Sequence, residues 1–287
     1  MLPDHFSFSQ ASLQDFVDCQ RRFALHHLLN IHWPAIPSEP ALENEHLLQL
    51  GEKFHHMAHQ RFLGMPGHKL EGLIRDFELK MWWKNFMAQI YFDDDFQLFP
   101  EKSLSMPFGN YRLVAKYDLI VIGADDRLMI YDWKTSRKQP RRDVLAGRMQ
   151  TKVYPYLLTN VSGEITKGEP VSPENIGMIY WFAAETGHPE QFDYSSTAFE
   201  SDYNDLRAAI DEIDRLYSLA TTHQQEDDFL EIFSLTDHIA KCAFCVYRSL
   251  CNRGVKAGQV DDLSEENLTE TLSKINLDFE QIAEIEF

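Results

Sequence analysis

Four cysteines stand at positions 19, 242, 245 and 251, and if they share one centre they close nearly the whole 287-residue chain into a loop. No other feature restricts the possible folds so strongly. The first residues, MLPDHFSFSQ, lack a basic start followed by an apolar stretch. No secretory signal is therefore expected, and a cytoplasmic location follows. Such a compartment disfavours disulfides. Cys242, Cys245 and Cys251 form C-x2-C-x5-C, with Cys19 far away. Structural zinc sites more often show two paired C-x2-C units or Cys/His pairs, whereas one pair with a near neighbour and a remote fourth cysteine suits a cubane iron-sulfur cluster. The readings, in order, are a cluster, a zinc ion and unrelated buried thiols.

The length suffices for a full hydrophobic core in one large domain, or in one domain with a helical insertion. Hydrophobic residues at 44% and charged residues at 25% are globular values, and no apolar run is long enough to span a bilayer. The net charge of -18 argues against nucleic acid if spread evenly, because non-specific DNA affinity comes from Lys and Arg. It is not spread evenly. Acidic residues gather in 261–287, while Lys134, Arg137, Lys138, Arg141, Arg142, Arg148 and Lys152 form a local basic strip.

Ser9 can cap a helix from Gln10 to Leu29 with Cys19 inside it. After the prolines at 34, 37 and 40, a second helix is expected over Leu42 to Phe62, carrying Gly51, His55, His56 and His59. Leu70, Leu73, Ile74, Phe77, Met81 and Phe86 recur at helical spacing, which predicts a packing helix over Leu70 to Ile90. From Leu98 to Lys134 the pattern alternates around a turn at Gly123 to Asp126, which reads as a strand hairpin. Asp143 can cap a helix to Thr159 that Pro155 should kink or break. A strand over Ile176 to Phe182 and a helix over Ser201 to Leu219 complete a mixed sheet flanked by helices. The segments expected are an N-terminal helical lobe (1–97), a core with the late cysteines (98–254) and an acidic tail (255–287).

The segment YDWKTS, Tyr131 to Ser136, sits at the end of that hairpin. Side chains alternate along a strand, so Asp132 and Lys134 share a face while Trp133 points away. If the hairpin turns about Asp125, Asp118 falls opposite Asp132 with Cβ atoms roughly 5 Å apart. Two carboxylates so close repel each other unless a cation lies between them or one is protonated. A divalent metal resolves the conflict. The Trp133 carbonyl could join its ligands, and Lys134 would stand beside the attacking water, where an ammonium can orient it and offset charge developing on phosphorus. The chemistry implied is phosphodiester hydrolysis. Alone, a D-x-K is weak and is more often a solvated strand whose charges merely alternate. Here it is accompanied by a Gly-x-x-x-His upstream and by Gln150 and Tyr154, at i and i+4 on one helix face, downstream.

Through these residues the chain, from Phe8 to about Gly254, resembles the RecB-type branch of the PD-(D/E)XK nucleases, which includes CRISPR-associated RecB-like exonucleases and the nuclease domains of AddB and RecB. The resemblance implies a restriction-endonuclease-like α/β core using Mg or Mn, with His55, Asp118 and Asp132 as metal ligands and Lys134 as the catalytic lysine. It further implies that Gln150 and Tyr154 position DNA or that lysine, and it matches Glu101 to a frequent family glutamate. Cys19-Gln20-Arg21-Arg22-Phe23 is similar to a Cys-Pro-Arg-Arg-Phe context around the remote cluster ligand of CRISPR-associated and AddB-type members, which supports a 4Fe-4S cluster on Cys19, Cys242, Cys245 and Cys251. Ala115 stands where the family often has glycine, and Pro155 follows the tyrosine.

The expectation is a metal-dependent nuclease acting on DNA ends or single-stranded DNA, in repair, recombination or CRISPR-type antiviral defence. With no G-x-x-x-x-G-K-[ST] run in the chain, any helicase or integration-complex partner acts in trans. Two rivals stand beside it: a non-cleaving DNA- or partner-binding module on a nuclease fold, and an iron-sulfur redox protein. His55 and His59 at i, i+4 have zinc spacing, but the glutamate of H-E-x-x-H is missing between them.

Overall fold

The computed structural model describes residues 2–3, 6–33, 39–123, 125–184, 189–222, 226–243 and 245–254. The expected acidic tail, 255–287, lies outside the described residues.

The sheet is built on one long hairpin. Strand β2 (Gln97–Phe108) pairs antiparallel with β3 (Tyr111–Ile122) along its length, turning at Gly109, whose φ of 60° favours a residue without Cβ. Strand β4 (Leu128–Lys134) returns antiparallel on the other edge of β3, and β5 (Ile176–Phe182) pairs parallel with β4 through a helical crossover. The short β6 (Glu190–Asp193) closes one edge, and β1 (Ser7–Phe8) pairs parallel with the start of β3. The sheet order is β1-β3-β4-β5-β6, with β2 on β3. The sequence showed one hairpin over 98–134; the structure has two, because the Gly109-Asn110 turn divides the alternating run.

Helices cover both faces. On one face lie α1 (Gln10–Asp18), α7 (Met149–Val161) and α8 (Ser196–Thr222), around a core including Phe8, Leu13, Tyr117, Ile130, Leu157 and Ile213. On the other lie α3 (Glu39–Phe62) and α5 (Phe77–Gln89), closed by Phe54, Trp82, Trp83, Phe86, Trp133 and Trp181. This second core is largely aromatic, with Phe86 edge-on to Trp133 and Phe54 stacked on Trp181.

Several expected helices change on folding. The span from Gln10 to Leu29 is not continuous: Cys19 is extended (φ -163°, ψ 110°) and separates α1 from α2 (Gln20–Phe23), after which Ala24–Leu28 form a π-helical turn. The expected packing helix over 70–90 is split into α4 (Gly67–Glu71) and α5, because the Asp76 carboxylate accepts from the Glu78 and Leu79 amides and starts a new helix. Its buried face is Leu79, Trp82, Trp83 and Phe86, whereas Leu73 and Phe77, expected inside, are 71% and 79% exposed. Asp143 is not a cap: α6 (Arg142–Ala146) begins before it and ends at Gly147. Helix α7 then starts anew, its Met149 amide donating to Gln14, and passes through Pro155 to Val161 without a break. Further short α-helices among the described residues are α9 (Glu226–Ile232) and α10 (Ile239–Cys242). No described helix is long and apolar enough to cross a membrane.

Candidate active site and cysteine pocket

The two antiparallel neighbours of the central hairpin part where the acidic residues lie. The β3–β4 ladder stops at Leu119 opposite Tyr131, so Asp118 and Asp132 are the next step of the same register, as the turn position predicted. Instead of a ladder bond, the Trp133 amide donates to Asp118 Oδ2 at 2.7 Å. On the opposite edge the β2–β3 ladder keeps one register but skips Glu101 and Asp118. Glu101 has φ 51°, a left-handed conformation that costs a non-glycine residue about 1–3 kcal/mol and is found at functional sites. The distortion switches the faces of β3: Leu113, Ala115 and Tyr117 point to the α7 side, whereas beyond Asp118 it is Ile120 and Ile122 that do so, and Leu119 and Val121 turn to the α3 side.

Into this gap α3 brings His55, whose Nδ1 lies 3.0 Å from Asp118 Oδ1. His55, Glu101 and Asp118 each offer a ligand atom within 4.8 Å of the others, and all three are half-buried. One imidazole and two carboxylates suit a divalent cation. The helix can approach because residue 51 is glycine; a Cβ there would lie 2.9 Å from Thr135 Oγ1, just past Lys134. His56 points away and pairs with Gln60 at 3.0 Å.

Asp132 is not a member of that trio. It is 4% exposed and lies on the α7 side of the sheet, 2.9 Å from Lys134 Nζ, which is 3% exposed. Gln150 joins the two: its Nε2 donates to Asp132 Oδ1 at 2.5 Å, and its Oε1 accepts from Lys134 Nζ at 3.0 Å. Lys134 Nζ also lies 5.6 Å from the centre of the Tyr180 ring. The repulsion expected between facing carboxylates is thus met within the chain, since each aspartate has its own partner. The Tyr154 hydroxyl donates to the Lys116 carbonyl at 2.7 Å and its own carbonyl accepts from Tyr117, fixing α7 to β3 two residues before Asp118. The Trp133 ring is buried in the aromatic core.

Glu101 is the member of the trio that the resemblance matched to a family glutamate without assigning it a ligand role. It is the one acidic residue of β2, which is a signal, but only the ladder distortion shows that it turns toward Asp118. Lys116 pairs with it. The basic strip is largely matched by carboxylates: Arg137 with Glu78, Arg141 with Asp143, Arg142 with Glu190 and Lys152 with Asp205.

The four cysteines converge. All are free thiols, and together with Arg22, Lys241, Tyr247 and Arg248 they line one pocket. The extended Cys19 turns its side chain out of the helical path toward the late cysteines. Polar bonds stitch the distant segments: the Arg21 amide donates to the Ser234 carbonyl, Ser234 donates to the Gln20 side chain, and Lys241 pairs with Asp18 at 2.6 Å. Burial pushes the Cys245 thiol up to about 11 and also raises Cys242 and Cys251, with the nearby Cys19 adding to each. Arg22 opposes this at Cys245, and Arg253 at Cys242 and Cys251.

Residues 7–252 match the PD-(D/E)XK nuclease superfamily. The chain belongs to that superfamily. Its sheet and flanking helices are the restriction-endonuclease-like fold, and membership implies phosphodiester hydrolase activity with divalent metals such as Mg or Mn and with DNA as substrate. No curated protein matches. Among solved structures, a candidate exonuclease from Eubacterium rectale is similar at 9% identity and TM-score 0.45, covering 74% of this chain and 80% of its own. The protein SSO0001 is similar at 10% identity and TM-score 0.37, covering 88% of each chain.

Proposed function

We propose that this PD-(D/E)XK protein is a RecB-type DNA exonuclease, acting on DNA ends or single strands, with a structural iron-sulfur cluster. The observation that carries the nuclease reading is the pairing of two half-sites across a parted strand pair: His55, Glu101 and Asp118 on one side, and buried Asp132, Lys134 and Gln150 on the other. In this reading His55, Asp118 and Asp132 hold Mg or Mn, joined by Glu101 and the Trp133 carbonyl. A divalent ion there would neutralise phosphate charge and lower the pKa of a water. Lys134, held by Gln150, orients the attacking water and offsets charge building on phosphorus. Tyr154 acts on β3 and keeps Asp118 in place.

The C-x2-C-x5-C spacing with the remote Cys19 supports a cluster over zinc. Four cysteines around one pocket, with Arg22 and Lys241 to balance thiolate charge, suit a 4Fe-4S cubane. Its place, away from His55 and joined to both ends of the described chain, gives it a structural role. A cytoplasmic protein of this kind would meet its helicase or integration-complex partner in trans, in repair or antiviral defence.

The test is cleavage of end-labelled single- and double-stranded DNA by wild-type protein and by Asp118→Ala, with Mg and with Mn. Stepwise shortening from ends by the wild type, lost in the variant, is expected. Tight DNA binding without cleavage under either metal would leave the non-cleaving module instead.

A further inference from the structure

Apart from the trio at Asp118, one other close group of ligand-type side chains occurs among the described residues: Asp15, His26 and His27, with all ligand atoms within 4.8 Å. It lies on the other face of the sheet from His55, where α1 packs with α7 and α8. Neither the family motif nor the cysteine pattern contains it.

Its geometry is unusual for two successive residues. On an α-helix neighbours diverge by about 100°, so adjacent histidines do not reach the same atom. Here the π-helical turn Ala24–Leu28 brings their rings to 4.2 Å, and His26 Nδ1 and His27 Nε2 lie 3.1 and 3.0 Å from the same oxygen, Asp15 Oδ2. Such turns interrupt the regular helix and are frequent at functional sites. Donors held by one ion through bonds of about 2.0–2.1 Å stand about 3.0–3.4 Å apart, which is the separation of Asp15 Oδ2 from each imidazole nitrogen, and the two nitrogens lie within 4.8 Å of each other.

An outer shell is also in place. Arg22 Nη2 binds the other oxygen, Asp15 Oδ1, at 2.6 Å, and reaches Asp18 at 3.2 Å; Asp18 in turn meets Lys241. Ligating carboxylates are characteristically held by such partners. Burial pushes the Asp15 carboxyl up, but Arg22 and the bonds from His26 and His27 outweigh it and hold it well below the usual carboxylate range. The histidine side chains are 23% and 21% exposed, so an ion can enter.

We propose that Asp15, His26 and His27 form a second metal site, for a late first-row divalent ion such as zinc. Two imidazoles and one carboxylate select Zn(II), Co(II) or Fe(II) over Mg or Ca. Asp15 precedes Cys19 and the histidines follow it, so the ion closes the chain around Cys19 and fixes the extended residue that faces the cysteine pocket. The site is independent of the nuclease reading.

The test uses full-length protein freed of loosely bound metal by EDTA and titrated calorimetrically with zinc chloride, comparing wild type with His26→Asn/His27→Gln. The amides replace Nδ1 and Nε2 with N–H donors, so a mere hydrogen-bond clamp on Asp15 is retained while the imidazole ligands are lost. The variant should lose one zinc equivalent, or bind it more than about 100-fold more weakly, beyond the usual effect of an outer-shell change. Equal stoichiometry and affinity in the two proteins would overturn the site. A second readout needs no variant: zinc should protect His26 and His27 of the wild type from diethylpyrocarbonate, scored by mass spectrometry, and unchanged modification of both would equally sink it.

Discussion

Around Asp132 the chain supplies its own counter-charge, whereas around the cysteines the counter-charge lies only at the pocket wall. Lys134 and Gln150 reach Asp132 from two residues further along the same strand and from α7, so the buried charges meet partners from residues 132 to 150. The thiols come from both ends of the described chain, burial pushes Cys242, Cys245 and Cys251 toward the neutral form, and the segments that carry them meet through short helices and polar stitches. A sheet register fixes the first site before any ligand arrives. The second has no ladder to hold it, so a bound centre has more to contribute to its stability.

The largest expected effect tests that contrast directly. Cys19→Ala should abolish any iron content and leave poorly soluble protein, because a cluster linking residues 19 and 251 constrains the unfolded chain by about 5 kcal/mol in the chain-entropy model. That is comparable to a whole domain's net stability. Iron analysis and thermal unfolding check it, and a variant as stable as wild type would show that the stitches around Gln20 and Asp18 suffice.

At the other site the penalty should come from an orphaned charge. Lys134→Met is expected to abolish cleavage and to cost about 3–5 kcal/mol, since it leaves buried Asp132 without its ammonium. The double variant Asp132→Asn/Lys134→Met should regain most of that stability but no activity. Denaturant titration distinguishes the cases, and no recovery in the double variant would mean that the pair is not the source of the loss.

A smaller effect probes how α3 is seated. Gly51→Ala places a Cβ against Thr135 Oγ1 and should cost about 1 kcal/mol while slowing cleavage through a displaced His55. Thr135→Ala in the same chain removes the obstructing oxygen and should restore both quantities. Failure of that rescue would place the glycine's role elsewhere.

The smallest expected effect joins the two regions. Residues 255–287 leave the cysteine segment with many acidic side chains. If they shield the basic strip, their deletion should raise DNA affinity a few-fold at low salt and have no effect at high salt, where the Debye length is only about 3 Å at 1 M. Fluorescence anisotropy at two salt concentrations decides it, and identical curves would remove the shielding idea.

Much of this arrangement follows from the sequence. The alternating run to Lys134 and its turn near Asp125 place Asp118 opposite Asp132 from counting alone, because a strand has period two and a hairpin fixes the register. Gly51 and His55 on one helix, and Gln150 on another, are equally legible from helical spacing. The cysteine spacing likewise anticipated that Cys19 and the late cysteines share one pocket. Helix continuity was not legible: the breaks at Cys19 and Asp76 depend on side chains whose partners are distant or compete locally with the helix.

Only the tertiary structure decided which face of β3 Asp118 serves. The switch at Glu101 is a backbone distortion between two strands in unbroken register, and no periodicity within either strand encodes it. It also took the folded chain to divide the acidic residues, with Asp118 given to His55 and Asp132 to Lys134 and Gln150. The physical reason is common to both. Sequence patterns specify which side of its own element a residue occupies, but which charge it meets there depends on the element packed against it, and α3 and α7 approach the sheet from opposite faces.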